Sequence, residues 1–561
     1  MLSDPSTRPR WTPNRLALAI GGAVALAVVV TLGDPGVTTD EPLDVRPGRT
    51  YVSTLLETGW RFFERTTVDR VFRDNAEHPP LGRWLLGIAS NCGQPFEVLI
   101  FGADPLNLSL WSARFAPAAA FGALVALVVS ATARRYGTAA GASAGFALAV
   151  MPRLFAHAHF GALDMFITLF WTLGLFSADR ALTARRPVLA MIGAGACWSL
   201  ALLTKIHAWF LIPVVAVWAL VRLKRPGPAL FAFASWGVTG LALFVAGWPW
   251  LWFDTLSRLR AYLGTGVARA TIQVLYFGQV YADKDVPWHY PWFYFAATVP
   301  VGLQLLGALG LAAALKARRS DPFPLLLAAS MGLLLVTFST RVPVYDGERL
   351  FLPIFPLWAV FIGRGFGVIW AKLPTRRWAR TALLATLVGQ SYGIIALHPF
   401  ELSYYNLLVG GLPGAERLGL ELTFWGDAVD GVLLDRLILA APAEAPAALV
   451  PTLYPGQGIA STTRAMARRP LLLGDQESAP QARWLVVSRR TAYWSKGLRE
   501  RLSKGRVIAV RTRQGVWLSA VYEVEPSAPL RSGPSSSVPF PSGPRSPSIV
   551  PSPSSHRGDD S

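Results

Sequence analysis

The sequence predicts an all-α polytopic membrane protein with about eleven membrane-crossing helices, interfacial helices between them, and a small α/β domain near the C-terminus. Three observations predict it. Hydrophobic residues make up 52% of the 561 and aromatic residues 12%, and mean hydropathy is +0.38, which is more apolar material than a soluble domain can bury. The apolar residues fall in runs approaching the ~20 needed to cross the hydrocarbon core. After Leu397 the runs stop and the composition becomes that of a soluble domain.

The runs lie at Leu16 to Leu32, Phe115 to Ala131, Gly137 to Met151, Met165 to Ala178, Val188 to Leu203 and Ile206 to Val221. They continue at Ala229 to Trp252, Phe293 to Leu315, Phe323 to Phe338, Leu350 to Trp370 and Thr381 to Leu397. The first, flanked by Arg8, Arg10 and Arg15, also has the outline of a signal peptide, but no small-x-small cleavage site follows it closely. An uncleaved first helix is expected.

A net charge of +19 could be the footprint of a nucleic-acid binder. Here the Lys and Arg sit in short clusters between apolar runs, which makes them a topology signal instead. The clusters are Arg134-Arg135; Arg180, Arg185 and Arg186; Arg222, Lys224 and Arg225; Lys316, Arg318 and Arg319; and Lys372, Arg376, Arg377 and Arg380. They occupy alternate connections, on the side of the N-terminal arginines. Because short basic loops stay inside, a cytoplasmic N-terminus and an extracytoplasmic C-terminal region in a multi-pass cytoplasmic-membrane protein are expected. No nucleic-acid partner is expected. Cys92 and Cys197 form neither a disulfide framework nor a metal-ligand spacing.

The expected organisation is a cytoplasmic tail at 1–13, a membrane module at 14–397 with long outer loops at 33–112 and 253–292, an extracytoplasmic domain at 398–525, and a tail at 526–561. Tyr51 to Phe72 and His78 to Ile88 mix aromatic and charged residues as interfacial helices do. In the C-terminal domain, Arg483 to Val487 reads as a buried strand, and Val507 to Arg511 with Val516 to Val524 reads as a hairpin turned at Gln514-Gly515. The Pro/Ser-rich tail predicts disorder.

Polar residues near membrane depth are costly and therefore functional candidates. The unusual ones fall on the outer side: Asp40-Glu41, Glu77-His78, Arg114, His157, His159, Asp164, Lys205, His207, Asp346, Glu348 and Arg349. A partly desolvated carboxylate at Asp40 or Glu41 can take a proton from a hydroxyl; equally, with Asp34 and Asp44 nearby, these fit solvated loop acids. Glu77-His78 precedes Pro79-Pro80, which would stiffen its position, or simply start a helix. The pair could also hold a divalent ion, although no third ligand follows at a recognisable spacing. Arg349 and Lys205 could hold a phosphate or snorkel to lipid headgroups. His157 and His159 read as loop residues.

In this order the motifs resemble the GT-C membrane glycosyltransferases of family 39, the protein O-mannosyltransferases and lipid A aminoarabinose transferases. The matching elements are Asp40-Glu41, Glu77-His78-Pro79-Pro80-Leu81, Arg114-Phe115, Asp164, Thr204-Lys205, Glu348-Arg349-Leu350 to Pro353, and His398-Pro399-Phe400-Glu401-Leu402-Ser403-Tyr404-Tyr405-Asn406. The resemblance implies a GT-C catalytic module and an inverting transfer of a sugar from a polyprenyl-phosphate donor to a hydroxyl on a protein, lipid or glycan. It implies Asp40 as the catalytic base. Glu41, Glu77, His78, Arg114, Asp164, Lys205 and Arg349 would be substrate-binding, with Lys205 and Arg349 on the leaving phosphate and Glu77 and His78 as the ligands of any metal ion. His78 stands where some relatives carry Lys, and the large insertion of eukaryotic mannosyltransferases is absent. The alternative is a polytopic transporter of a lipid-linked or small polar substrate, which would place its charges near mid-span on broken helices.

Overall fold

The computed structural model of the chain describes residues 12–73, 78–101, 110–265, 271–373, 376–442, 446–452, 473–476 and 479–527. Glu77 and the tail from 528 onward lie outside the described residues.

Every apolar run carries a helix. In chain order these begin with α1 (Pro13–Val30), α2 (Asp40–Thr58), α3 (Arg65–Val71), α4 (Leu81–Phe101), α5 (Phe115–Tyr136), α6 (Thr138–Ala149) and α7 (Pro152–His157). They continue with α8 (Asp164–Leu182), α9 (Pro187–Leu202), α10 (Leu211–Leu223), α11 (Pro226–Ala246), α12 (Thr255–Thr265), α13 (Tyr290–Thr298) and α14 (Val301–Lys316). The bundle closes with α15 (Phe323–Thr337), α16 (Ile354–Ala371), α17 (Arg377–Gly389) and α18 (Tyr392–Leu397). Local chemistry sets many of the starts. The Thr12 hydroxyl accepts from the Arg15 amide at 3.3 Å, and proline occupies the first turn of α1, α7, α9 and α11.

Among the described residues, six helices are long and apolar enough to cross a membrane: Pro13–Val30, Ser112–Tyr136, Asp164–Leu182, Ile206–Leu223, Pro226–Ala246 and Ile354–Ala371. The run expected to be one span at Phe293 to Leu315 is instead two helices, α13 and α14, bent by 111° at Val299-Pro300. With that pair counted as a span there are up to seven. The remaining expected runs hold shorter helices, and Thr381 to Leu397 is interrupted between α17 and α18.

The break between α13 and α14 is closed by Asn406. Its amide nitrogen donates to the carbonyls of Ala296 and Val299, both at 2.7 Å, satisfying groups that an unbroken helix would have bonded itself. The His398 to Asn406 segment is thus packed into the bundle, with Arg153 of α7 donating to the Tyr404 carbonyl at 2.9 Å.

Side-chain contacts sort the bundle into two ends. At one, Asn14 meets Arg134 at 2.6 Å, while Asp179 collects Arg135 and Arg222, both at 2.6 Å. At the other, the Thr31 hydroxyl meets His159 at 2.8 Å and Arg114 donates to the Leu32 carbonyl at 2.7 Å. The 22 residues of α5 separate the ends, a rise of ~33 Å at ~1.5 Å per residue. The basic connections read from the sequence gather at the first end.

The segments expected to be long outer loops cap the second end. Helices α2 and α4 cross at Gly48 and Gly87, where a Cβ on Gly48 would run into the Arg83 carbonyl. This crossing buries the Asp44–Arg83 pair (3.0 Å), so Asp44 is not a solvated loop acid. Between α12 and α13 lies an antiparallel hairpin, β1 (Gln273–Tyr276) with β2 (Gln279–Ala282). It turns at Phe277-Gly278 with φ of 49° and 76°. Phe277 is an unusual occupant of that conformation, which is why the hairpin escapes a reading of turn signals.

The C-terminal domain is α/β. Its sheet, ordered β4-β3-β5-β7-β6, comprises β3 (Ala447–Val450), β4 (Leu473–Gly474), β5 (Trp484–Ser488), β6 (Arg506–Arg513) and β7 (Val516–Glu523). Strand β3 is parallel to β4 and β5, and β7 is antiparallel to β5 and β6. The β6–β7 hairpin turns at Gln514-Gly515 as expected, with φ of 49° and 79°.

Candidate active site

Five segments distant in sequence meet at the second end. Asp40 opens α2, Asp164 opens α8, Lys205 follows α9, Arg349 lies in a short 3-10 turn before α16, and the stretch 420–430 enters from the C-terminal side. Lys205 Nζ stands 2.6 Å from Asp164 Oδ1, and Arg349 Nε is 3.2 Å from Asp164 Oδ2. A terminal nitrogen of Arg349 pairs with Asp40, and its other terminal nitrogen is 3.2 Å from Asp346 Oδ2. The guanidinium also lies over the Trp425 ring, 4.2 Å from its centroid. Neither cation snorkels; both are turned inward onto carboxylates.

Exposure separates the three acids around Arg349. The Asp164 and Asp346 side chains are 3% and 4% accessible, whereas Asp40 is 21% accessible. Of these, Asp40 is the carboxylate that an incoming molecule can reach.

Glu41, one residue on, faces the other way. It is fully buried, and Arg114 grips both of its oxygens, at 2.6 and 2.8 Å. The Gly161 amide adds a bond at 2.9 Å and the Thr38 amide another at 2.8 Å. The same Arg114 donates to the carbonyls of Leu32, Pro35 and Gly36 at 2.7, 3.1 and 2.8 Å. The bidentate fork therefore ties the loop after α1 to α5 and sets where Asp40 stands. A neighbouring close approach helps: a Cβ on Gly36 would run into the Val429 carbonyl.

His78 is half-buried, with Pro79 and Pro80 buried behind it. The Leu81 amide donates to the Leu203 carbonyl at 2.9 Å, which brings the start of α4 beside the Lys205 corner. Among the described residues no group of three or more His, Cys, Asp or Glu is placed to hold a metal ion. His157 and His159 are not open-loop residues. They are 3% and 1% exposed, and burial pushes their pKa down to about 4 and about 3, keeping both neutral. His157 packs edge-on against Trp425, with centroids 5.0 Å apart.

Several site residues were not singled out from sequence. Arg153, buried at 2%, pairs with Glu348 at 2.8 Å and is walled by Tyr294, Tyr405 and Phe424. Asp346, already among the polar candidates in the sequence, is a junction, accepting from Arg349, from Trp425 Nε1 at 2.8 Å and from Arg490 at 2.7 Å. It is held in the left-handed region, φ 56°, followed by Gly347 at φ 68°, a conformation costing a non-glycine residue about 1 kcal/mol or more. The Gly347 amide is fixed by the Tyr290 hydroxyl at 2.9 Å. Trp425 and Arg490 lie in the part that reads as a separate soluble domain, and no local pattern marks them.

Comparison with known proteins agrees with the motif order. Residues 77–252 match the family described as dolichyl-phosphate-mannose-protein mannosyltransferase, in keeping with the family resemblance drawn from the motifs. No curated protein sequence matches the chain. Among solved structures, apo ArnT from Cupriavidus metallidurans superposes with a TM-score of 0.51 at 17% identity, covering 90% of this chain and 97% of that one. The same protein bound to undecaprenyl phosphate gives 0.48 at 18% identity, covering 91% and 99%. The oligosaccharyltransferase of Archaeoglobus fulgidus in its apo form gives 0.41 at 13% identity, covering 84% and 69%. The ArnT likeness shows a shared GT-C fold.

Proposed function

We propose that this chain, with a segment matching a family described by a dolichyl-phosphate-mannose donor, is an inverting glycosyltransferase. It moves a sugar from a polyprenyl-phosphate carrier to a hydroxyl acceptor at the extracytoplasmic face of a membrane. The observation that carries this reading is one reachable carboxylate, Asp40, beside two cations, Arg349 and Lys205, joined through Asp164.

Asp40 accepts the proton of the acceptor hydroxyl as its oxygen attacks the anomeric carbon. The bond from that carbon to the phosphate oxygen breaks, and its electron pair stays on the phosphate. Attack opposite the leaving group inverts the anomeric centre. Arg349 by its fork and Lys205 as a point charge hold the phosphate as its charge grows. Asp164 orients both cations. Glu41 and Arg114 act as a positioning pair for Asp40, and Glu77 and His78 keep the substrate-binding assignment drawn from the resemblance. The end rich in arginine lies in the cytoplasm, which puts Asp40 and the C-terminal domain outside.

A transporter would need charges along a mid-membrane path, whereas Asp164, Lys205 and Arg349 stand at helix ends. Purified protein in lipid nanodiscs, supplied with a polyprenyl-phosphate sugar and hydroxyl acceptors, tests the proposal by mass spectrometry of the products. Asp40→Asn should lower transfer by about 10²- to 10⁴-fold at unchanged expression; full activity in that variant would sink the mechanism.

A further inference from the structure

We infer that Arg490, supplied by the C-terminal domain, is a positioning residue for transfer: it anchors Asp346 and thereby holds the Arg349 guanidinium against Asp40. This role presupposes the assignment of Asp40 and Arg349 given above.

Arg490 follows strand β5 and is 4% exposed. One terminal nitrogen donates to Asp346 Oδ1 at 2.7 Å and the other to the Phe424 carbonyl. The next residue in the 420–430 stretch, Trp425, donates its indole N–H to Asp346 Oδ2 at 2.8 Å and lays its ring beneath Arg349. Glu421 secures the same stretch to the domain, accepting from the amides of Thr491 and Ala492 at 2.9 and 3.2 Å. A continuous chain of charge therefore runs from Arg490 to Asp346, Arg349 and Asp40.

An arginine side chain has a long flexible stem and keeps one pose only when several partners restrain it. Arg349 has three carboxylates and a ring around it. Asp346 is the partner whose own position depends on another domain. With Arg490 gone, one oxygen of a buried carboxylate loses its cation, and Arg349 becomes the remaining arginine to compensate it. The guanidinium then shifts from Asp40 toward Asp346. Two consequences follow: the phosphate-holding cation is misplaced, and Asp40 loses part of the field that favours its ionised form.

The test uses the full-length protein in nanodiscs with a polyprenyl-phosphate sugar donor. The variants are Arg490→Gln, Arg490→Lys, Asp346→Asn and the double Arg490→Gln/Asp346→Asn. Arg483→Gln, which breaks an exposed pair with Glu523 elsewhere on the domain, is the control and should match wild type. Arg490→Gln should lower kcat by about 10- to 100-fold, the scale of a misplaced reacting group, and move the acidic limb of the pH–rate profile upward. Arg490→Lys should recover part of both effects, and the double variant should fall no further than the worse single. If Arg490→Gln does not fold, Arg490→Lys and Asp346→Asn carry the same comparison. Wild-type kcat and pH profile in the Arg490 variants would overturn the inference, as would a loss that tracks only lowered thermal stability with the pH limb unmoved. No transfer by the wild type overturns the reading of function and this inference with it; transfer by the wild type with unchanged Arg490 variants overturns the inference alone.

Discussion

Arg349 and Asp40, 309 residues apart in the chain, form an ion pair at the mouth of the bundle. Each has a second task in the proposed reaction, the cation on the donor phosphate and the carboxylate on the acceptor proton.

Asp40→Asn removes the base but keeps the side-chain volume. Transfer should fall by about 10²- to 10⁴-fold, the usual worth of a positioned general base, while donor binding by titration stays within a few-fold of wild type. Equal losses in binding and turnover would contradict this division of labour.

Arg349→Lys keeps the charge and loses the fork, so it cannot satisfy Asp40, Asp164 and Asp346 together. It should raise the KM for the lipid donor and lower kcat. Arg349→Gln should do so more severely and shift the acidic limb of the pH–rate profile upward, because Asp40 loses its nearest positive charge. A profile unchanged in Arg349→Gln would mean that the pair does not tune the base.

Arg114→Leu leaves Glu41 buried and uncompensated. Removing one partner of a buried pair costs about 3–5 kcal/mol, so the variant should show a markedly lower unfolding midpoint in detergent. Glu41→Gln retains hydrogen bonding and should be milder. Loss of activity at full stability in both would favour direct contact with substrate over positioning.

Asn406→Ala strips the carbonyls of Ala296 and Val299 of their donor at the α13–α14 break. Each unsatisfied buried group costs about 1–3 kcal/mol. Destabilisation should appear in thermal melts, and Asn406→Asp, which cannot donate from that position, should not rescue it.

Three groups contribute stability that falls as pH rises, in two windows, while His157 and His159, held neutral by burial, contribute in the opposite sense below 6.5. Burial raises Asp427 and Glu421 from 3.8 and 4.5 to about 7. At these two groups the native chain holds protons that the unfolded chain releases, and their contribution to stability drops between those values. His398 is raised from 6.5 to about 9 by its bond to Glu401 and by Asp34, so its contribution is fully present below 6.5 and lost as pH rises through 9. Measured as the difference from wild type in melting midpoint across pH, Asp427→Asn should remove the Asp427 contribution in the lower window and His398→Asn the His398 contribution in the upper one.

The membrane class, the two ends of the bundle and most of the residues that meet at the candidate site were legible in the linear sequence. Hydrophobic run length and the placement of Lys and Arg are local properties that the bilayer reads directly. Motif order was legible for the same reason: Asp40, Asp164, Lys205 and Arg349 each sit where a helix begins or ends. Spacing alone left the adjacent acids Asp40 and Glu41 equivalent, the family resemblance favoured Asp40 as the base, and the tertiary structure separated the two physically. Adjacent residues on a helix point about 100° apart, and Arg114 takes Glu41 while Arg349 takes Asp40. It also decided that Phe293 to Leu315 bends, because Asn406 is there to satisfy the broken backbone. Trp425 and Arg490 were invisible beforehand, since their importance lies in contacts with Asp346 across 79 and 144 residues, and no short-range periodicity encodes a charge that another domain supplies.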